Sequence, residues 1–209
     1  ELPRDVMAAE VPEAAQNYIA AKTGKFLPPQ SDIESAVDAL LNAKRPLIWS
    51  GQGVLMGAAS ESLTELAELA GIPVMTTMPG KSGFNETHPL SLGATNLTYS
   101  GQARKWLDES DVVFAVGTSM TGTHYGQRPP DGKTLIHCSA DPSDINRDYD
   151  IDMPLPGDAK LVLDAMIEIA NGKVSEPGHR RRAETEREIK ASRDPWMESW
   201  QPILTSDEV

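Results

Sequence analysis

"DVVFAVG", residues 111–117, is the stretch whose reading decides the fold. Its apolar residues follow one another without alternation, so the strand they form must be covered on both faces. Directly before it, "GQARKWLDES" (101–110) reads as a helix; directly after it comes "GTSMTGT" (117–123), a loop of Gly, Ser and Thr. The same grammar repeats outward in both directions. "PLIWS" (46–50), "IPVMTT" (72–77) and "TLIHC" (134–138) are short apolar strands, and "IDMPLPG" (151–157) is a weaker one. Between them lie helices. In "SDIESAVDALLNAKRP" (31–46), Ser31 and Glu34 match a capping box, Ile33, Val37, Leu40 and Leu41 share a face, and Pro46 is read as the stop. A second helix is expected from about Gly57 to Leu69, with Leu63, Leu66 and Leu69 inward, and a third over "DAKLVLDAMIEIANG" (158–172), ended by Gly172. Such alternation predicts an α/β fold: a doubly wound, Rossmann-like, mostly parallel sheet of five to six strands with helices on both faces, over 31–172.

The flanks differ in character. Residues 1–30, broken by Pro3, Pro12, Pro28 and Pro29, read as a linker with one small helix near Glu13–Ala21. Residues 173–209 read as a charged helical tail, in which Arg182 and Glu186 can pair and Arg180–Arg182 form a solvated face. Trp196 and Trp200, four apart, suggest docking on a neighbouring domain. A chain opening on Glu1 hints at a piece of something longer.

The formal net charge of −12 disfavours a sequence-independent grip on nucleic acid or an anionic membrane. No run approaches the ~20 apolar residues of a membrane span and no signal peptide opens the chain, so a cytoplasmic protein is expected. The one cysteine, Cys138, rules out an internal disulfide and reads as a buried, inert thiol.

In an open doubly wound sheet, ligands bind beyond the carboxyl ends of the strands. The exits there are "SGQG" (50–53), "TTMPGKSG" (76–83), "GTSMTGT" and "SADPSD" (139–144). Gly80-Lys81-Ser82 ends like a phosphate-binding P-loop, but Met75 stands where the earlier glycine belongs and a loop follows instead of a helix. Gly51, Gly53 and Gly57 are spaced one residue too widely for the dinucleotide fingerprint, and Thr76 and Thr77 stand where an acid would hold a ribose, which disfavours a nicotinamide dehydrogenase. His88, His124, His137 and His179 lack metal-ligand spacing, and Ser119 lacks a nucleophile elbow. The residues alone thus describe a nucleotide-binding-like sheet without an identifiable catalytic engine. A stand-alone ADP- or dinucleotide-binding module stays open as an alternative.

Taken in order, "LPRDV" (2–6), "AKRPLIWSGQGV" (43–54), "LAELAGIPVMTTMPGKSGFNETHPLSLG" (66–93), "ARKWLDESDVVFAVGTSM" (103–120) and "LIHCSADPSDINRDYDIDMPLPGDAKLVLDAM" (135–166) resemble the central domain of thiamine diphosphate enzymes, nearest to the acetolactate synthase group. The resemblance implies a non-catalytic central domain. The preceding domain would bind the pyrimidine and the following one the diphosphate, with thiamine pyrophosphate and Mg held by the parent enzyme and not by this piece. It also implies a parent carboligase or decarboxylase of 2-oxo acids, working as a homodimer or homotetramer.

Where central domains of this group hold FAD or ADP, the matching positions here are Gly51, Gln52 and Gly53, then Thr77 and Met78, then Gly93 to Asn96. Gly117, Thr118 and Ser119 follow, with Ser139, Gly157 and Asp158 farther on. The sequence departs from the FAD pattern at two of these exits. "GTSMTGTHYG" replaces a segment rich in arginines and acids, and "GATN" (93–96) replaces the group's "GMHG".

Overall fold

Val112–Val116, the core of the opening stretch, is a strand with all five residues buried. The computed structural model describes residues 3–19, 24–95, 100–122, 128–174 and 176–204. Among these residues six strands pair in parallel throughout: β1 (Pro46–Ser50), β2 (Val74–Thr77), β3 (Ser91–Thr95), β4 (Val112–Val116), β5 (Thr134–Ser139) and β6 (Met153–Pro156). Their order across the sheet is β3-β2-β1-β4-β5-β6, so the chain reverses its direction of travel between β1 and β4. This is the doubly wound α/β sheet that the apolar runs predict.

Alternate residues of the four inner strands, β1, β2, β4 and β5, feed two separate cores, while Leu155 of β6 joins only the first and Leu92 of β3 only the second. Ile48, Val74, Phe114, Ile136 and Leu155 pack under helices α2 (Gln30–Asn42), α4 (Ser60–Ala70) and α6 (Ala159–Lys173). Leu47, Trp49, Met75, Val113 and Leu135 face the other way, against α5 (Gly101–Glu109) and Ile189 of α7 (Glu176–Leu204). A strand with a full apolar set on each face has no solvated side, which is why these runs show no period of two.

Several local expectations are corrected. β3 lies in a stretch read as loop; Gly93 there has a φ of +85°, and the pairing register slips between Val74 and Met75. The helix expected from Gly57 begins only at Ser60: Gly57 caps a separate five-residue helix, α3 (Gln52–Met56), and Ala58 takes a φ of 53° before α4 begins. The capping box at Ser31 does not form: Pro29 is the N-cap, and Glu34 accepts from Gln30 instead. α2 stops at Ala43, with Pro46 already in β1. Gly172 is inside α6, which ends at Lys173 with Val174 as its C-cap. Near the N-terminus the helical turns are α1 (Arg4–Ala8) and a 3₁₀ turn at Glu13–Ala15; the expected helix to Ala21 runs into residues outside the description.

Arg181 and Arg182 of α7 are not part of a solvated face. Arg181 donates to the carbonyls of Leu40 (3.2 Å), Leu41 (2.8 Å) and Ala43 (2.9 Å), closing the open C-terminal end of α2. Arg182 holds Glu68 and Glu186, each at 2.8 Å. Arg45 grips Glu188 with both terminal nitrogens while its guanidinium lies 3.7 Å from the Trp106 ring centroid. Gly71 ends α4 with a φ of +64°, and a Cβ there would stand 2.5 Å from the Arg182 amide nitrogen. The helix therefore seals the amino ends of the strands and leaves the carboxyl ends open. Arg180 and Trp196 fall among side chains outside the description, while Trp200 is 43% exposed. No helix among the described residues is long and apolar enough to cross a membrane.

Candidate functional site at the carboxyl ends of the strands

The exits of β1 and β4 meet at the point where strand order reverses, the place an open α/β sheet reserves for ligands. They meet backbone to backbone. Gly51 donates its N–H to the Val116 carbonyl (2.9 Å), Gly53 to the Gly117 carbonyl (2.7 Å) and Gly117 to the Cys138 carbonyl (2.9 Å). A Cβ on Gly51 would sit 2.3 Å from the Gly117 oxygen, and one on Gly53 2.8 Å from the Gly117 Cα. The glycines that resemble a nucleotide fingerprint are thus required by close packing of two turns. Gly80 repeats the pattern after β2: its N–H bonds the Thr77 carbonyl and hydroxyl, and its Cβ would lie 2.7 Å from the Gly51 carbonyl carbon.

Above this floor opens a cavity of about 410 Å³. Of the residues expected at a site, Gln52, Gly53, Thr77, Met78, Gly117, Thr118 and Ser119 line it, and Gly51 packs beneath. Trp49, Met56, Met120 and Tyr149 add apolar and aromatic wall that the sequence reading did not single out. A signal for two of them existed, since Trp49 is the last residue but one of β1 and Met120 stands three residues after Gly117 at a strand exit.

Four expected residues lie elsewhere. Gly93 is not part of the lining, although Thr95 of the same strand is. Ser139 donates its hydroxyl to Asp144 (2.9 Å). Gly157 is covered by Pro28 and the Phe26 carbonyl. Asp158 caps α6 by accepting from the Lys160 and Leu161 amides and pairs with Lys25 at 3.1 Å. Asn96 falls outside the described residues.

The wall is electrically quiet. Among the described residues, no Lys, Arg, Asp or Glu lines the cavity. Arg147 reaches it from behind through the Ser119 carbonyl and the Thr121 hydroxyl, but Asp144 and Asp148 already pair with it. Several hydroxyls are also engaged: Ser119 pairs with Thr121 (2.8 Å), and Thr118 accepts from the Met120 amide (3.3 Å).

His137 bonds the Thr118 carbonyl through Nε2 at 2.8 Å, so that nitrogen carries the proton, and burial holds its pKa down and the ring neutral. Cys138 is buried and its thiol is pushed up to about 12, mainly by desolvation. Neither is placed to act as nucleophile or base on an occupant of the cavity. The P-loop-like Gly80-Lys81-Ser82 forms turns, and Lys81 pairs with Glu86 at 3.5 Å.

A diphosphate fits this site poorly. The amides of Gly51, Gly53, Gly80 and Gly117 that could cradle phosphate are consumed within the protein, and no lining side chain offers a counter-charge. Among the described residues no group of three or more His, Cys, Asp or Glu could hold a metal, and the Asp158 carboxylate is taken by its cap and ion pair.

Fold and site together define a doubly wound α/β domain with a cavity at its switch point that no charged side chain lines among the described residues. Residues 33–166 match the family described as thiamine pyrophosphate enzyme, central domain, and the chain belongs to that family. It is 33% identical to a probable acetolactate synthase large subunit of Methanococcus aeolicus over 174 residues, covering 80% of this chain and 29% of that protein. A probable 2-ketoarginine decarboxylase of Pseudomonas aeruginosa is 32% identical over 206 residues, covering 97% of this chain and 36% of that protein. The crystal structure of benzoylformate decarboxylase from Polynucleobacter necessarius shares the fold, with a TM-score of 0.60 at 23% identity, covering 79% of this chain and 31% of that one. The chain thus spans about a third or less of the length of these relatives. The alternative of a stand-alone ADP or dinucleotide module gains no support from these matches.

Proposed function

We propose that this domain works inside a larger thiamine pyrophosphate-dependent enzyme acting on 2-oxo acids, where it is the scaffold between two flanking domains and performs no bond-making step. The carrying observation is the lining of the sheet's carboxyl rim. That is where a doubly wound sheet places its chemistry, and here apolar, hydroxyl and amide groups stand without a charged side chain among the described residues. The relatives' printed names, a synthase and a decarboxylase, support a parent that joins or cleaves bonds beside a 2-oxo group. In that parent the cofactor supplies the electron sink, with magnesium anchoring its diphosphate in flanking domains. Assembly of the parent as a homodimer or homotetramer belongs to the same reading.

The test is direct. The 209-residue chain, given thiamine pyrophosphate, Mg²⁺ and pyruvate or another 2-oxo acid, should release no carbon dioxide above the uncatalysed rate. Turnover by this chain unaided would overturn the proposal.

A further inference from the structure

We infer that a second cavity, at the amino ends of the strands beneath α7, holds one small monovalent anion, and that this ion fastens α7 to the sheet. The inference is independent of the thiamine pyrophosphate reading, because it rests on charges at the edge of the sheet opposite the rim. The cavity measures about 120 Å³. That is room for a halide with part of its water shell, each water occupying ~30 Å³, and too little for a nucleotide or a sugar phosphate. Pro46 and Pro73, at the starts of β1 and β2, wall it on the sheet side, and Arg181 and Glu188 wall it on the α7 side.

The lining is charged where the rim cavity is not. Lys44, Arg45 and Arg181 bring three positive charges, and Glu184 and Glu188 bring two negative ones. Glu188 is already occupied: Arg45 holds it at 2.7 and 3.1 Å and Lys105 at 3.1 Å. Arg181 has neutral partners only. Its guanidinium donates to the carbonyls of Leu40, Leu41 and Ala43, and no carboxylate forms an ion pair with it among the described residues. Burial draws its pKa down, opposed only by the more distant charge of Asp111, which also acts on Lys133. Arg45 leaves a second loose end, since its Nε–H is buried without an acceptor among the described residues. A buried cation without an anion and a buried donor without an acceptor each cost stability. Water would answer the donor and leave the charge. One anion between Arg45 and Arg181 answers both, and a single negative charge matches the surplus of one positive charge on the lining.

The test uses chloride and bromide as probes. Sodium chloride replaces sodium gluconate at fixed ionic strength, gluconate being too bulky for the cavity, and the melting temperature of the 209-residue chain is followed. It should rise and saturate, by about 2–4 °C in all. Arg45→Lys keeps a positive charge towards Glu188 but has no Nε–H, so the chloride concentration at half-effect should increase about tenfold. Lys44→Ala, at an exposed position, should increase it about threefold. Crystals soaked in sodium bromide need no variant, and should show one anomalous peak in contact with Arg45 Nε and the Arg181 guanidinium. A melting temperature indifferent to chloride at fixed ionic strength would overturn the inference. Water alone in the bromide-soaked cavity would do so as well, and so would a chloride response unchanged in Arg45→Lys, which would place the ion elsewhere.

Discussion

Gly53 gives its amide proton to the carbonyl of Gly117 at 2.7 Å, and neither residue has space for a β-carbon. This contact joins the first strand–helix turn to the exit of the central strand. It explains the glycine spacing without a ligand, and it uses the donors that a phosphate would need.

The first expectation concerns that contact. Gly117 has a φ of +61°, and a Cβ there would lie 2.6 Å from the Val54 amide nitrogen. Gly117→Ala should therefore destabilise the protein by about 2–4 kcal/mol, strain and collision acting together. Gly172→Ala is the contrast: it is helical and meets nothing within 4 Å, so it should stabilise by about 0.5–1 kcal/mol. Urea unfolding of the two variants would check both signs.

Arg181 bears on how α7 stays docked. Arg181→Met leaves three carbonyls at the end of α2 without their donor. About 2 kcal/mol should be lost, with faster amide exchange in α7. Arg181→Lys should restore only part of this, because an ammonium cannot reproduce the planar fork. Full recovery with lysine would contradict the role assigned to the guanidinium.

Thr76 predicts the opposite sign. Its Oγ1 is buried without a hydrogen-bond partner among the described residues. Thr76→Val replaces that hydroxyl by a methyl of similar size, so stability should be unchanged or rise by about 1 kcal/mol. A loss of more than about 1 kcal/mol would show that the hydroxyl has a partner.

Cys138 sets a pH dependence. Desolvation pushes its thiol up to about 12, above the ordinary value of ~8.5. The folded state therefore keeps a proton that the unfolded chain releases in that window. The thiol's contribution is complete below about pH 8.5 and drains away as pH rises towards 12. Stability should fall more steeply between pH 9 and 11 in the unaltered protein than in Cys138→Ala, by urea midpoints. At pH 8 the native thiol should not react with a disulfide reagent until the protein unfolds.

Much of the architecture was legible in the residues. Val112–Val116, Pro46–Ser50 and Thr134–Ser139 are apolar runs too short for core helices, and a strand covered on both faces is the arrangement that buries them whole. The edge strand Ser91–Thr95 was hidden because its glycine and small residues match a loop as well as they match a strand paired on one side. The break at Ala58 left no trace, since nothing about alanine announces a φ of 53°. The site was half legible. Gly- and Ser-rich exits named the rim, but Gly157 and Asp158 were drawn to it by likeness, while in the fold they cap a helix under Pro28 and Phe26.

The sequence by itself determined that the inner strands are buried on both faces of a mostly parallel sheet, because uninterrupted apolar runs admit no solvated side. Only the tertiary structure decided which exits share a cavity, what consumes their amides and where the arginines of α7 go. Those answers depend on partners such as Arg181 and Leu40, brought together from opposite ends of the chain, and local residue pattern carries no record of who the partner is.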